Sequence, residues 1–68
     1  MTPTTATRAV TEMTSHVRDR LVGLPGVTEN AVQSLVFGWI RAEQPEILEV
    51  LGAQGVCDLV AAAGKKAA

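Results

Sequence analysis

The chain has 68 residues, 47% of them apolar but only 3% aromatic, with one cysteine, one histidine and a formal net charge of −1. A chain this short folds as one domain and buries only about 60% of the surface that its unfolded form exposes, so its stability margin is thin. The lone Cys57 excludes an intrachain disulfide, Cys57 with His16 is too little for a protein-only zinc site, and mixed charges lack the basic footprint of a nucleic-acid-binding domain.

At the start, Met1-Thr2-Pro3-Thr4-Thr5 has no basic region followed by an apolar core, so no secretory signal is read there and a cytoplasmic location is expected. Residues 1–8 are assigned to a flexible N-terminal segment, although Thr2 or Thr4 could cap a helix that Pro3 is suited to begin. Val10, Met13, Val17, Leu21 and Leu24 then recur at helical spacing on one stripe, which predicts a first helix over about 5–22. Gly23 and Pro25 stop it, because proline disfavours helical geometry in the residue before it.

Thr28 stands at an N-cap position with Glu29 in the first turn behind it, and the second helix is expected to run to about Glu43. Its apolar residues Ala31, Val32, Leu35, Val36, Phe37, Trp39 and Ile40 cover an arc of about 240°, far wider than the stripe of roughly 100° on an ordinary surface helix. That width predicts a central or interface helix, with Gly38 on the narrow remaining face permitting close approach of another segment. Gln44-Pro45 separates it from a short third helix carrying Ile47, Leu48, Val50 and Leu51. Residues 52–55 read as a second hairpin, followed by a fourth helix from Val56 to about Ala63 with Val56, Leu59, Val60 and Ala63 inward. Gly64 closes it before a flexible tail, 64–68, so the ordered domain is assigned to 9–63. No segment alternates and no apolar run nears the roughly 20 residues of a membrane span, so neither strands nor a membrane partner are expected.

The stretch Leu24-Pro25-Gly26-Val27-Thr28-Glu29-Asn30-Ala31, and the fainter Ala53-Gln54-Gly55-Val56-Cys57-Asp58-Leu59-Val60, resemble the two hairpins of the tandem helix-hairpin-helix family. The resemblance covers about residues 17–63 and implies an all-α, compact four-helix domain of two helix-hairpin-helix units. Family members commonly grip the DNA backbone through hairpin amides at a helix N-terminus. Here the second glycine of each hairpin is replaced by Thr28 or Cys57, and Glu29 and Asp58 stand where a basic residue would favour a phosphate. The chain is therefore more similar to degenerate copies of the module, which serve as protein-interaction surfaces.

The function expected from these readings is a small non-catalytic interaction or assembly module, self-associating through an apolar helix. Its interface residues are expected to be Phe37, Trp39, Ile40, Glu43, Glu46 and Glu49, the aromatics as anchors and the carboxylates steering a basic partner. The reading ranked second is sequence-independent DNA-backbone binding, with Gly26, Val27 and Thr28 offering amides and Arg18, Arg20, Lys65 and Lys66 supplying charge. No nucleophile, base and orienting group stand in a recognisable arrangement, so an enzyme is not expected, and no cofactor or metal is implied. Ser34 falls well inside a helix, His16 has no matching nucleophile, and Cys57 at a helix start would be reactive only if the dipole lowered its thiol pKa.

Overall fold

The computed structural model describes residues 1–67, with side chains described through Ala63. It contains three α-helices, α1 (Pro3–Leu21), α2 (Glu29–Glu43) and α3 (Glu46–Ala67), and no strand among the described residues. Thr2 caps α1, its hydroxyl oxygen accepting from the Thr5 amide at 3.2 Å, and Pro3 takes the first helical position where a missing amide is harmless. Arg18 and Arg20 in the last turn complement the negative end of the helix. Thr28 caps α2 in the same way, accepting from the Ala31 amide at 3.2 Å. A tight join follows, in which the Gln44 amide donates to the Ile40 carbonyl at 2.8 Å and the Ile47 amide to the Gln44 carbonyl at 3.0 Å.

The expected four helices are corrected to three. The expected third and fourth helices run together as α3, two helical segments that meet across a kink at Gly52 (φ 75, ψ 162) alone, with residues 53–55 already helical, so no hairpin of four residues parts them. Ala53 and Gln54 are good helix formers, and the Gln54 side chain donates to the Asp58 carboxylate one turn on at 3.0 Å, so the helix resumes immediately after the glycine. Gly55 is thus a helical residue, packed so that a Cβ on it would come within 3.3 Å of the Leu51 Cβ. Cys57 and Asp58 consequently sit in the body of α3 instead of its first turn, and Cys57 is half-buried.

Ala6, Val10, Met13 and Val17 from α1, Val32, Val36 and Ile40 from α2, and Ile47, Val56 and Val60 from α3 form one buried core. On a straight helix Ile47 and Val56, nine residues apart, would point about 180° away from each other. The bend at Gly52 is what turns both onto the same core. Thr14 is also fully buried, its hydroxyl donating to the Val10 carbonyl at 2.8 Å, so the hydroxyl is satisfied within α1.

Three further expectations change. The segment 1–8 contributes to the folded body, since α1 begins at Pro3 and Ala6 is completely buried. Leu24 is not on the core stripe: the chain leaves α1 after Leu21, Gly23 takes a φ of 84°, and Leu24 is left 55% exposed on the connecting loop. Gly38 approaches nothing, with open space where a Cβ would be. The expected tail, 64–68, falls largely outside what is described: α3 continues to Ala67, and the Lys65 and Lys66 side chains and all of Ala68 lie outside the described residues.

Two substitutions separate a required glycine from a dispensable one. Gly52 lies in a backbone region that is essentially reserved for glycine, so Gly52→Ala should destabilise the fold by about 1–3 kcal/mol. Gly38→Ala, on an open helical face, should stabilise it by about 0.5–1 kcal/mol. Urea unfolding followed by circular dichroism measures both.

Candidate interaction surface

α1 and α2 run antiparallel, and on the side where no α3 residue intrudes their side chains line a continuous groove. One section, about 320 Å³, lies between Ala9, Glu12, Met13 and His16 of α1 and Trp39, Glu43 and Gln44 at the end of α2. The next, about 340 Å³, lies between His16, Val17, Arg20 and Leu21 and the α2 residues Leu35 and Trp39. His16 and Trp39 belong to both sections and meet edge to face, their ring centroids 5.3 Å apart at 66°. Trp39 is fixed a second time, because its indole Nε1 donates to the Glu43 carboxylate one turn on. An aromatic pair therefore marks the middle of the groove, with carboxylates at one end and a guanidinium at the other.

The α1–α2 loop and the adjoining turn of α2 are unusually apolar for solvent-exposed chain. Val22 is 77% exposed, Leu24 55%, Leu35 50% and Val27 39%, and among the described large hydrophobic residues only Met1 joins them. Leu35 lines the groove itself, Val22 and Val27 line a separate hollow of about 280 Å³ with Arg18, Thr28 and Glu29, and Leu21 belongs to both. Gly23 and Gly26 turn the loop, both with positive φ.

The residues expected at the interface are distributed over several places. Trp39 and Glu43 line the groove. Ile40 is fully buried and offers no surface, because it continues the Val32–Val36 stripe that faces the core, a distinction that the wide apolar arc hides. Phe37 is half-buried on another side of α2, with the Arg41 guanidinium 5.8 Å from its ring centroid and Ala53 of α3 nearby. Glu46 and Glu49 are exposed in the first turn of α3, where they complement the helix dipole, and line neither section of the groove. His16 is exposed, as expected of a surface histidine without a matching nucleophile, whereas the exposure of Val22 and Leu35 was not read from the sequence. The signal for Val22 was present in Gly23 and Pro25, which end α1 at Leu21 and leave Val22 and Leu24 on the connecting loop.

Residues of the alternative DNA site are largely engaged elsewhere. Arg18 donates from both terminal nitrogens to the Glu29 carboxylate, each at 2.8 Å, and also to the Val60 carbonyl at 3.0 Å. This one side chain joins all three helices. The bidentate hydrogen bond, reinforced by the opposite charges, raises the Arg18 pKa further and holds the Glu29 carboxyl below its ordinary value. The Thr28 hydroxyl is occupied in capping α2, and the carboxylate of Glu29 stands at the helix end where a phosphate would need to approach. Gly26 and Val27 are exposed, and Arg20 lines the α1–α2 groove.

No described helix is long and apolar enough to cross a membrane. No family model matches the chain, and neither a curated protein nor a solved structure matches it.

The Arg18–Glu29 pair carries a pH signature. Because the folded-state pKa of Glu29 is depressed, its contribution is present above the unfolded carboxyl pKa and is lost as pH falls through the folded value. Glu29 is 61% exposed, which limits the contribution. Glu29→Gln should lower stability at pH 7 by about 0.2–1 kcal/mol, with the difference from the wild type vanishing well below about pH 4. Urea midpoints at pH 7 and in strong acid give the comparison.

Proposed function

We propose that this chain is a small non-catalytic assembly module that self-associates by burying the apolar edge formed by α1, α2 and their connecting loop. The single observation behind this reading is the exposure of Val22, Leu24, Val27 and Leu35 on α2 and the loop before it, Leu35 in the groove with Trp39, and Val22 and Val27 in the next hollow, which shares Leu21 with it. At about 25 cal/mol per Å², withdrawing a few hundred Å² of such surface from water is enough to drive association. The surface lies on the Trp39 side of α2; Phe37, Glu46 and Glu49 stay outside it, and Ile40 supports it from within the core.

DNA-backbone binding ranks below this reading for a physical reason. The Arg18 guanidinium is held by Glu29 and Val60, so its charge is already neutralised within the fold. A phosphate would have to displace a bidentate carboxylate to reach it.

Sedimentation equilibrium tests the proposal. The wild-type chain should associate in a concentration-dependent way that is little affected by salt or by a short DNA duplex. Leu24→Ser with Leu35→Ser should weaken association at least about tenfold, since two exposed anchors of roughly 1–2 kcal/mol each are removed, while the helical circular dichroism is unchanged. A wild-type chain that stays monomeric to millimolar concentration, or one that binds duplex at low salt and releases it at high salt, would overturn the reading.

A further inference from the structure

Resting on that reading, we infer that the partner is a second copy of this chain, lying antiparallel across the α1–α2 groove so that Arg20 of each copy meets Glu12 and Glu43 of the other. The charge layout of the groove carries the inference. Glu12 and Glu43 flank one end, Arg20 the other, and the His16–Trp39 pair lies between them. Glu12 and Arg20 are eight residues apart on α1, a rise of about 12 Å, so within one copy they are too distant to pair. That separation exceeds the screening length of about 8 Å at physiological salt.

A two-fold contact presents the same surface from both copies, so every charge on it must find its complement on that same surface. With the axis crossing the groove at the level of His16 and Trp39, the basic end of each copy lies over the acidic end of the other. Turning one copy end for end would stack Arg20 on Arg20 and Glu12 on Glu12, and like charges in contact are unfavourable. The apolar complement follows the same axis. Leu35 belongs to the Arg20 end, and in the antiparallel arrangement it reaches the section of the other copy's groove lined by Ala9, Met13 and Trp39.

Size is compatible with this pairing. The chain spans 35 × 23 × 17 Å, so its narrower long face has an outline of about 600 Å², and a pairing that used that whole face in both copies would reach the lower bound of about 1,200 Å² for a specific interface. The near-neutral net charge of −1 adds little general repulsion between copies.

The test uses two charge reversals at exposed positions, Arg20→Glu and Glu12→Lys, each alone and mixed in equal amounts. Their dissociation constants are measured by sedimentation equilibrium, with circular dichroism confirming that each variant is folded. Each variant alone should self-associate about tenfold more weakly than the wild type, because like charges then face each other at both ends of the groove. The mixture should form a heterodimer of wild-type affinity, since the carboxylate introduced in one variant meets the ammonium introduced in the other at one end, and the natural pair is kept at the other. Variants that match the wild type alone and bind more tightly when mixed would overturn the antiparallel arrangement in favour of the parallel one. Charge variants without effect, alone or mixed, would also overturn it, and if Leu24→Ser with Leu35→Ser still weakens association, the assembly reading survives by itself. A monomeric wild type would remove both.

Discussion

The fold depends on a geometric conflict in α3 and its resolution at one residue. Ile47 and Val56 are both completely buried, yet they stand nine positions apart, which on a straight helix would put one of them in water. Gly52 takes a conformation that other residues adopt only under strain, and the bend sets both ends of α3 against the α1–α2 pair. In a chain with only one phenylalanine and one tryptophan, the core is built almost wholly from valine, isoleucine, alanine and one methionine. Such side chains fill little volume each, so the helices must approach closely, and a straight α3 would leave part of that core uncovered.

Arg18 performs a related task with polar groups. It reaches from α1 to the first turn of α2 and to a carbonyl of α3, joining three elements whose shared core is otherwise apolar. The consequence for function is one of subtraction. Both terminal nitrogens of the guanidinium that an external anion would need are engaged within the fold, and Arg20, two residues on, is left as the cation that lines the groove.

Because α3 covers one side of the α1–α2 pair, the opposite side is left open. There the side chains are neither a solvated polar face nor a closed core: a tryptophan is fixed by a carboxylate, a histidine leans on it, and leucines border it. Thin intrinsic stability gives such a surface a second consequence. In a domain this small, area buried between copies under the proposed self-association would be a substantial addition to the area buried within one, coupling association to folding stability by mass action.

Much of this was written locally and could be read without coordinates. Thr2, Pro3 and Thr28 mark helix starts through hydrogen bonds that span three residues, Gln44-Pro45 marks a join, and the Val10, Met13 and Val17 spacing marks a buried stripe; each is settled within a turn or two of chain. Whether Gly52 ends a helix or only bends it is not settled at that range, because it depends on where Ile47, Val56 and Val60 find a common core. The same holds for the broad apolar arc of α2: which of Leu35, Phe37, Trp39 and Ile40 is buried is decided by the positions of α1 and α3 around it. The sequence by itself determined the helical periodicities and the caps, since those are local energies. Only tertiary packing decided that there are three helices, that Arg18 is bound within the fold, and that the exposed apolar edge lies along α1 and α2, because burial is a property of neighbours brought together from distant parts of the chain.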